Sequence, residues 1–300
     1  MKNSLVFGTT SLVAMLLCAA AGAQATVVQA NNTSAPGDAF TSSATVNTGQ
    51  AIGTSGWYYN NVRNNGVVGI NTAYPRSGDG SALLQTTQNG ASSSKADIEY
   101  LGPNAAVNAA GNYQSITSMG AFGSLTMMNY EWYRDGASTA SDGLHPSLRV
   151  LLDLDGNLGN TSDRAILIFE RIYNGGGLIA PENQWIGESV IGTTNVWSAG
   201  ALGFATDLDG SGYAYDDSLA EWQASARMAN AVIVGFSSGV GSGWDPFIGA
   251  VDNIGWTIGT QPAALYNFEV GAAVGQVPEP TSLALVSAAL GLLALARRRG

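Results

Sequence analysis

An antiparallel β-sandwich is the fold class this sequence predicts, and three observations predict it. About a dozen short apolar or alternating runs are bounded by Gly, Asn, Asp or Pro, with no regular helical spacing between them. Glycine is abundant, 39 of 300 residues, and charged residues make up only 11%, against roughly 25% in an ordinary soluble domain. The apolar fraction, 45%, is ample for a packed core. A chain of strands and tight turns that buries its faces against a second sheet follows from these three together.

Residues 26–56 show little periodicity and read as a loose lead-in or an edge strand ahead of a β domain at 57–276. Strands are expected at 57–63, 67–70, 82–85, 95–101, 125–134, 148–152, 164–173 and 185–191, and again at 231–236, 247–251, 254–258 and 265–270. In the 95–100 run, Ala96, Ile98 and Tyr100 share one side and Lys95, Asp97 and Glu99 the other, so one face is expected to be wet. The 165–173 run is apolar on both sides until Glu170 and Arg171, as suits a central strand. One short helix is expected within 217–229, where Ser218 and Glu221 have capping-box spacing and Leu219, Trp222 and Ala226 share a face. Near the end, Val251-Asp252-Asn253-Ile254 followed by Tyr266-Asn267-Phe268-Glu269 resembles the closing strands of jelly-roll, concanavalin-like surface domains.

The two ends carry addresses. Lys2, the apolar stretch 5–21 and Ala23-Gln24-Ala25 form a secretory signal peptide over residues 1–25, with signal peptidase cutting after Ala25. A lipoprotein signal centred on Cys18 is the rival, disfavoured because Leu17 stands where such sites use a small residue. At the other end, Val277, Pro278, Glu279 and Pro280 precede an uncharged segment, 281–296, and then Arg297, Arg298 and Arg299. As a helix that segment would be about 24 Å long, near the reach of a bilayer core, with the arginines on the cytoplasmic side. A plain membrane anchor would share the hydrophobicity. The three parts in order resemble the PEP-CTERM sorting signal of Gram-negative, exopolysaccharide-producing bacteria. That resemblance implies an exosortase as processing partner, transient anchoring in the inner membrane, and delivery to the cell surface or the extracellular, biofilm-forming matrix.

Of the 12 basic and 22 acidic residues, removing Lys2, the three terminal arginines and Glu279 leaves 8 against 21, a formal charge of −13 over 26–277. Nucleic acid is therefore excluded as a partner, because phosphate neutralisation needs clustered bases. The single cysteine lies in the leader, so the domain has neither disulfide nor thiolate metal site. A lone histidine, His145, leaves no imidazole pair for zinc and reads as a loop residue.

Asp207, Asp209 and Ser211 place oxygen side chains at alternate positions, with Gly212 sixth in the loop, and Asp216 and Asp217 follow. This pattern suits calcium, although Ser218 occupies the twelfth position and an EF-hand is excluded. Asp153-Leu154-Asp155-Gly156-Asn157, with Asp163 beyond it, starts in the same way, and in both loops an ordinary Asp-Gly turn is the competing reading. For glycan stacking, Trp57 and Trp244 lie beside glycine- and serine-rich turns, whereas Trp132, Trp197, Trp222 and Trp256 sit among apolar neighbours and read as core. Glycoside hydrolysis would need two carboxylates, with Glu131 and Asp135 or Glu170 and Glu188 as conceivable pairs.

The function expected from these features is non-catalytic: an exported surface or matrix protein, structural or associated with exopolysaccharide, with calcium as its candidate cofactor. A polysaccharide-modifying enzyme and a protein-binding adhesin are the alternatives. A paired-carboxylate cleft would favour the enzyme, a shallow aromatic patch the binder, and a contiguous apolar patch the adhesin.

Overall fold

The computed structural model describes residues 24–87, 93–175 and 179–271. Its strands are β1 (Thr26–Gln29), β2 (Phe40–Ser42), β3 (Thr48–Ala51), β4 (Trp57–Arg63), β5 (Gly66–Asn71), β6 (Ser81–Thr86), β7 (Lys95–Tyr100), β8 (Ala106–Val107) and β9 (Tyr113–Gln114). The second half adds β10 (Gly120–Ala121), β11 (Leu125–Arg134), β12 (Ser147–Asp153), β13 (Arg164–Phe169), β14 (Trp185–Val190), β15 (Trp197–Gly200), β16 (Val232–Gly241), β17 (Phe247–Ile258) and β18 (Ala264–Glu269). The one α-helix among the described residues is α1 (Leu219–Ala224).

Two eight-stranded sheets make the body. One runs β1-β18-β17-β6-β5-β2, with β11 on the other side of β17 and β14 beyond it; the other runs β15-β13-β12-β16-β7-β4-β3, with β10 on β16. Pairing is antiparallel throughout both sheets except between β1 and β18. The sheets face one another through alternate residues of each strand. Phe236 of β16 stacks on Trp256 of β17 at 4.1 Å, and Trp57 of β4 meets Phe268 of β18 at 5.0 Å and Tyr266 at 5.3 Å. These aromatic contacts across the gap join the two inner faces into one core. No helix among the described residues is long and apolar enough to cross a membrane. The expected spanning segment, 281–296, lies outside the described residues.

Four expectations change. Of the two readings of 26–56, loose lead-in or edge strand, the structure has the second, but with three edge strands in place of one, β1 and β2 in one sheet and β3 in the other, so the sheets begin before residue 57 and bury Val28 and Ile52. Short polar strands suit an edge, where a core-facing residue every second or third position is enough. The 164–173 run ends as a strand at Phe169 and closes in a 3-10 turn, Arg171–Tyr173, that turns the chain away from the sheet. The runs 247–251 and 254–258 form the single strand β17. The interruption is a bulge against β11, with Asn253 in the left-handed region at φ 50°, a conformation asparagine tolerates better than most residues.

The fourth change concerns β7. Its polar face is dry: Asp97 is 0% and Glu99 1% exposed. The segment carrying β8 and β9 lies over this outer face, packing Val107, Tyr113 and Ile116 against Tyr58, Leu101, Leu151 and Val234. Beneath it Asp97 pairs with Arg149 at 2.8 Å and Lys95 at 3.0 Å. Glu99 accepts from Asn60 at 2.7 Å, Asn61 at 2.8 Å and the Tyr113 hydroxyl at 3.0 Å. Burial works against ionising Asp97, but Arg149 and Lys95 outweigh it and hold the carboxyl below its ordinary range. At Glu99, burial and then the charge of Asp97 push the carboxyl up. Alternation predicted which residues share this face, but a covering segment from elsewhere in the chain decided that it is buried.

Candidate functional site

Beside the covered patch, the outer face of the second sheet opens into a cleft of about 440 Å³. Its floor is built by the period-two alternation of four strands. Ser147 and Arg149 of β12, Ile166 and Ile168 of β13, Trp197 and Ala199 of β15 and Lys95 of β7 point outward. Their neighbours Leu148, Val150, Leu167 and Ser198 point into the core. The walls come from loops: Glu170 and Tyr173 after β13, Phe204 after β15, Tyr215 before α1, and Ser242 and Trp244 after β16. The volume lies within the range of small-ligand sites, roughly 300–1,000 Å³.

The aromatic groups form a connected wall. Tyr215 stacks on Tyr173 at 4.3 Å with 22° between planes, and the Trp197 ring lies 5.2 Å from Phe204 and 5.9 Å from Tyr215. Phe204 is 75% exposed despite its size, an apolar ring offered to solvent beside the cleft. Trp244 leans edge-on against Phe247 at 5.4 Å and closes the opposite side. Among the described lining residues Glu170 is the only carboxylate. Burial pushes its carboxyl up to about 7, with the charge of Arg149 pulling the other way.

The two tryptophans expected to form a sugar platform part company here. Trp57 is fully buried in the inter-sheet core, so a surface role for it is ruled out. The glycine and serine turn before it, 53–56, folds back so that Ile52 N–H donates to the Trp57 carbonyl, and the strand carries the ring inward. Trp244 is half-buried and faces the cleft. Trp197, read as core from its neighbours, lies on the outward face of β15 and forms part of the wall. Only the register of β15 against β13 settles that point, and no run of alternation long enough to reveal it exists in four residues.

His145 is a structural residue, 2% exposed and stacked on Trp132 at 4.6 Å. Its Nε2 accepts from the Arg171 N–H at 2.9 Å, which leaves Nδ1 to donate to the Pro146 carbonyl, also at 2.9 Å. Burial pushes its pKa down to about 4, so the ring is neutral. The carboxylates considered for hydrolysis have separate duties. Glu188 pairs with Arg171 at 3.2 Å outside the cleft, Glu131 with Arg76 at 2.9 Å, and Asp135 accepts from the Tyr74 hydroxyl at 2.7 Å.

The acidic loop 207–217 forms one rim of the same region. Asp207 accepts from the backbone N–H groups of Gly210 at 2.8 Å, Ser211 at 3.2 Å and Gly212 at 2.8 Å, and these bonds hold its carboxyl below the ordinary range. Asp207 thus organises the turn. Ser211 is taken up within the loop, accepting from Tyr213 N–H at 3.2 Å and donating weakly to Asp216 at 3.4 Å. Asp209, Asp216 and Asp217 each bring a carboxylate oxygen within 4.8 Å of the others. A second trio, Asp153, Asp155 and Asp163, meets the same spacing, but Arg164 Nε lies 3.0 Å from Asp153 and supplies its counter-charge.

Residues 276–299 match the PEP-CTERM protein-sorting motif. The match takes in Val277, Pro278, Glu279, Pro280, Arg297, Arg298 and Arg299, all outside the described residues, as is Ala23 of the leader. The motif marks a protein for export and surface sorting in bacteria, with processing by an exosortase. No curated protein matches the chain. The described domain is all-β with two large antiparallel sheets, and the cleft lies on the outer face of the second.

Proposed function

We propose that the protein is a non-catalytic surface or matrix component that holds a neutral glycan in the aromatic cleft of its second sheet. The observation that carries this reading is the cluster of Trp197, Tyr173, Tyr215, Phe204 and Trp244 around a cleft whose lining mixes apolar and polar side chains. Flat rings cover the C–H faces of a pyranose while Ser242 and Glu170 offer hydrogen bonds to its hydroxyls. Binding is favoured over hydrolysis because two-carboxylate chemistry needs a second acid in the cleft beside Glu170. An acidic polysaccharide is disfavoured by the formal charge of −10 on the chain. Two stacked antiparallel sheets support the jelly-roll, concanavalin-like reading of the fold. Delivery to the exopolysaccharide of a Gram-negative cell, by way of the inner membrane, would place the cleft among such glycans.

Glycan-array binding of the exported protein tests the reading. Selective retention on neutral oligosaccharides is expected. Retention on no glycan, or release of shortened products from the bound sugars, would reject it.

A further inference from the structure

The loop that walls the cleft also gathers uncompensated acid. Asp217 is 1% exposed; its Oδ2 accepts from the Leu208 N–H at 2.9 Å, while its buried Oδ1 has no hydrogen-bond partner. A buried carboxylate oxygen without a donor is costly, and a cation is the simplest group that removes the cost. Asp209 and Asp216 stand in the same trio, with a carboxylate oxygen of each of the three within 4.8 Å of the others. Among the described residues none of the three forms an ion pair with lysine or arginine.

We infer that Asp209, Asp216 and Asp217 form a calcium site whose occupancy fixes the aromatic wall of the cleft. Oxygens bound to one calcium at 2.3–2.6 Å can lie at most about 5 Å apart, so the spacing of the trio fits a single ion. Calcium takes six to eight oxygens, and three carboxylates leave places for backbone carbonyls and water. Magnesium, which demands a tighter octahedron, suits an exposed and irregular loop less well. Asp207 stands outside the trio, its oxygens accepting from three N–H groups of the turn.

The connection to the cleft is direct. Tyr215 precedes Asp216 in the chain and stacks on Tyr173, while the Asp217 carbonyl accepts from Val196 N–H at 2.9 Å, one residue before Trp197. Neutralising the three acids therefore steadies both Tyr215 and Trp197. The metal claim stands apart from the glycan reading, because it is tested with calcium alone.

The experiment is calorimetric titration and thermal melting of the chelator-stripped exported protein with calcium chloride, beside Asp217→Asn, Asp209→Asn combined with Asp216→Asn, and Asp155→Asn combined with Asp163→Asn. The wild type is expected to bind one ion and, at about a hundredfold excess over its dissociation constant, to melt roughly 5–10 °C higher than in chelator. Both the Asp217 variant and the Asp209/Asp216 variant should lose that rise, the latter guarding against a simple folding defect, since both its positions are exposed. The Asp155/Asp163 variant should keep it. Absence of heat and of any melting shift at millimolar calcium overturns the site, as does a shift that survives in the Asp209/Asp216 variant or disappears in the Asp155/Asp163 variant.

Discussion

Burial changes what individual side chains do. Asp252 is 0% exposed on β17, its Oδ1 accepting from Phe268 N–H at 3.0 Å, and burial pushes its carboxyl up to about 7. Glu170 in the cleft is displaced to about 7 for the same cause. An acid whose folded pKa lies above its unfolded value favours folding fully below the unfolded value and loses that contribution as pH rises through the folded one. The two raised acids should thus outweigh the opposite contribution of His145, whose lowered pKa favours folding as pH rises, so that unfolding free energy measured in urea declines between about pH 4 and pH 7, and Asp252→Asn should flatten the slope. An unchanged slope in the variant would remove Asp252 from the account. Asp97 works in the opposite sense: held low by its cations, it contributes stability above the unfolded carboxylate value that is lost as pH falls through its folded one. Trp57→Ala should destabilise the domain by about 3–5 kcal/mol in the same assay, because it empties the contact between the sheets. A loss near zero would return that ring to the surface.

Elements repeat the lesson with longer reach. The capping box predicted from Ser218 and Glu221 is present in full: the Ser218 hydroxyl accepts from Glu221 N–H, and Glu221 accepts from Ser218 N–H at 2.7 Å. Ser218→Ala should therefore cost about 1 kcal/mol by urea unfolding, and a cost below a few tenths would show that packing of Trp222 alone holds the helix. Local signals of this kind were legible because they are complete within four residues. The strands β4 and β11 were equally plain, since seven and ten residues of apolar or alternating pattern specify their faces. What stayed hidden was pairing between distant segments. Nothing around residue 105 announces that β8 and β9 will cover Asp97 and Glu99, and nothing in four residues of β15 distinguishes a core tryptophan from a cleft tryptophan. Of the residues around the cleft, Trp244, the acidic loop and Glu170, the last as half of a carboxylate pair, stand out in the sequence, while the outward face of Trp197 and the Tyr173–Tyr215 stack depend on tertiary register.

At the scale of the molecule, an address at the C-terminus is joined to a two-sheet domain whose outer face carries an aromatic cleft. Intact mass spectrometry of the native extracellular product should show loss of residues 1–25 and of the segment beyond the Pro278-Glu279-Pro280 motif. A mature mass that retains 281–299 would leave a plain anchor in place of a processed signal. The central claim is that the cleft recognises carbohydrate, and the most direct measurement is calorimetric titration of the exported protein and its Trp197→Ala/Trp244→Ala variant with the best array ligand. Loss of roughly 1.4 kcal/mol or more, a tenfold or greater fall in affinity, is predicted for the variant, with its melting temperature little changed. Equal affinity in the two proteins, with both folded, would contradict the assignment of the cleft.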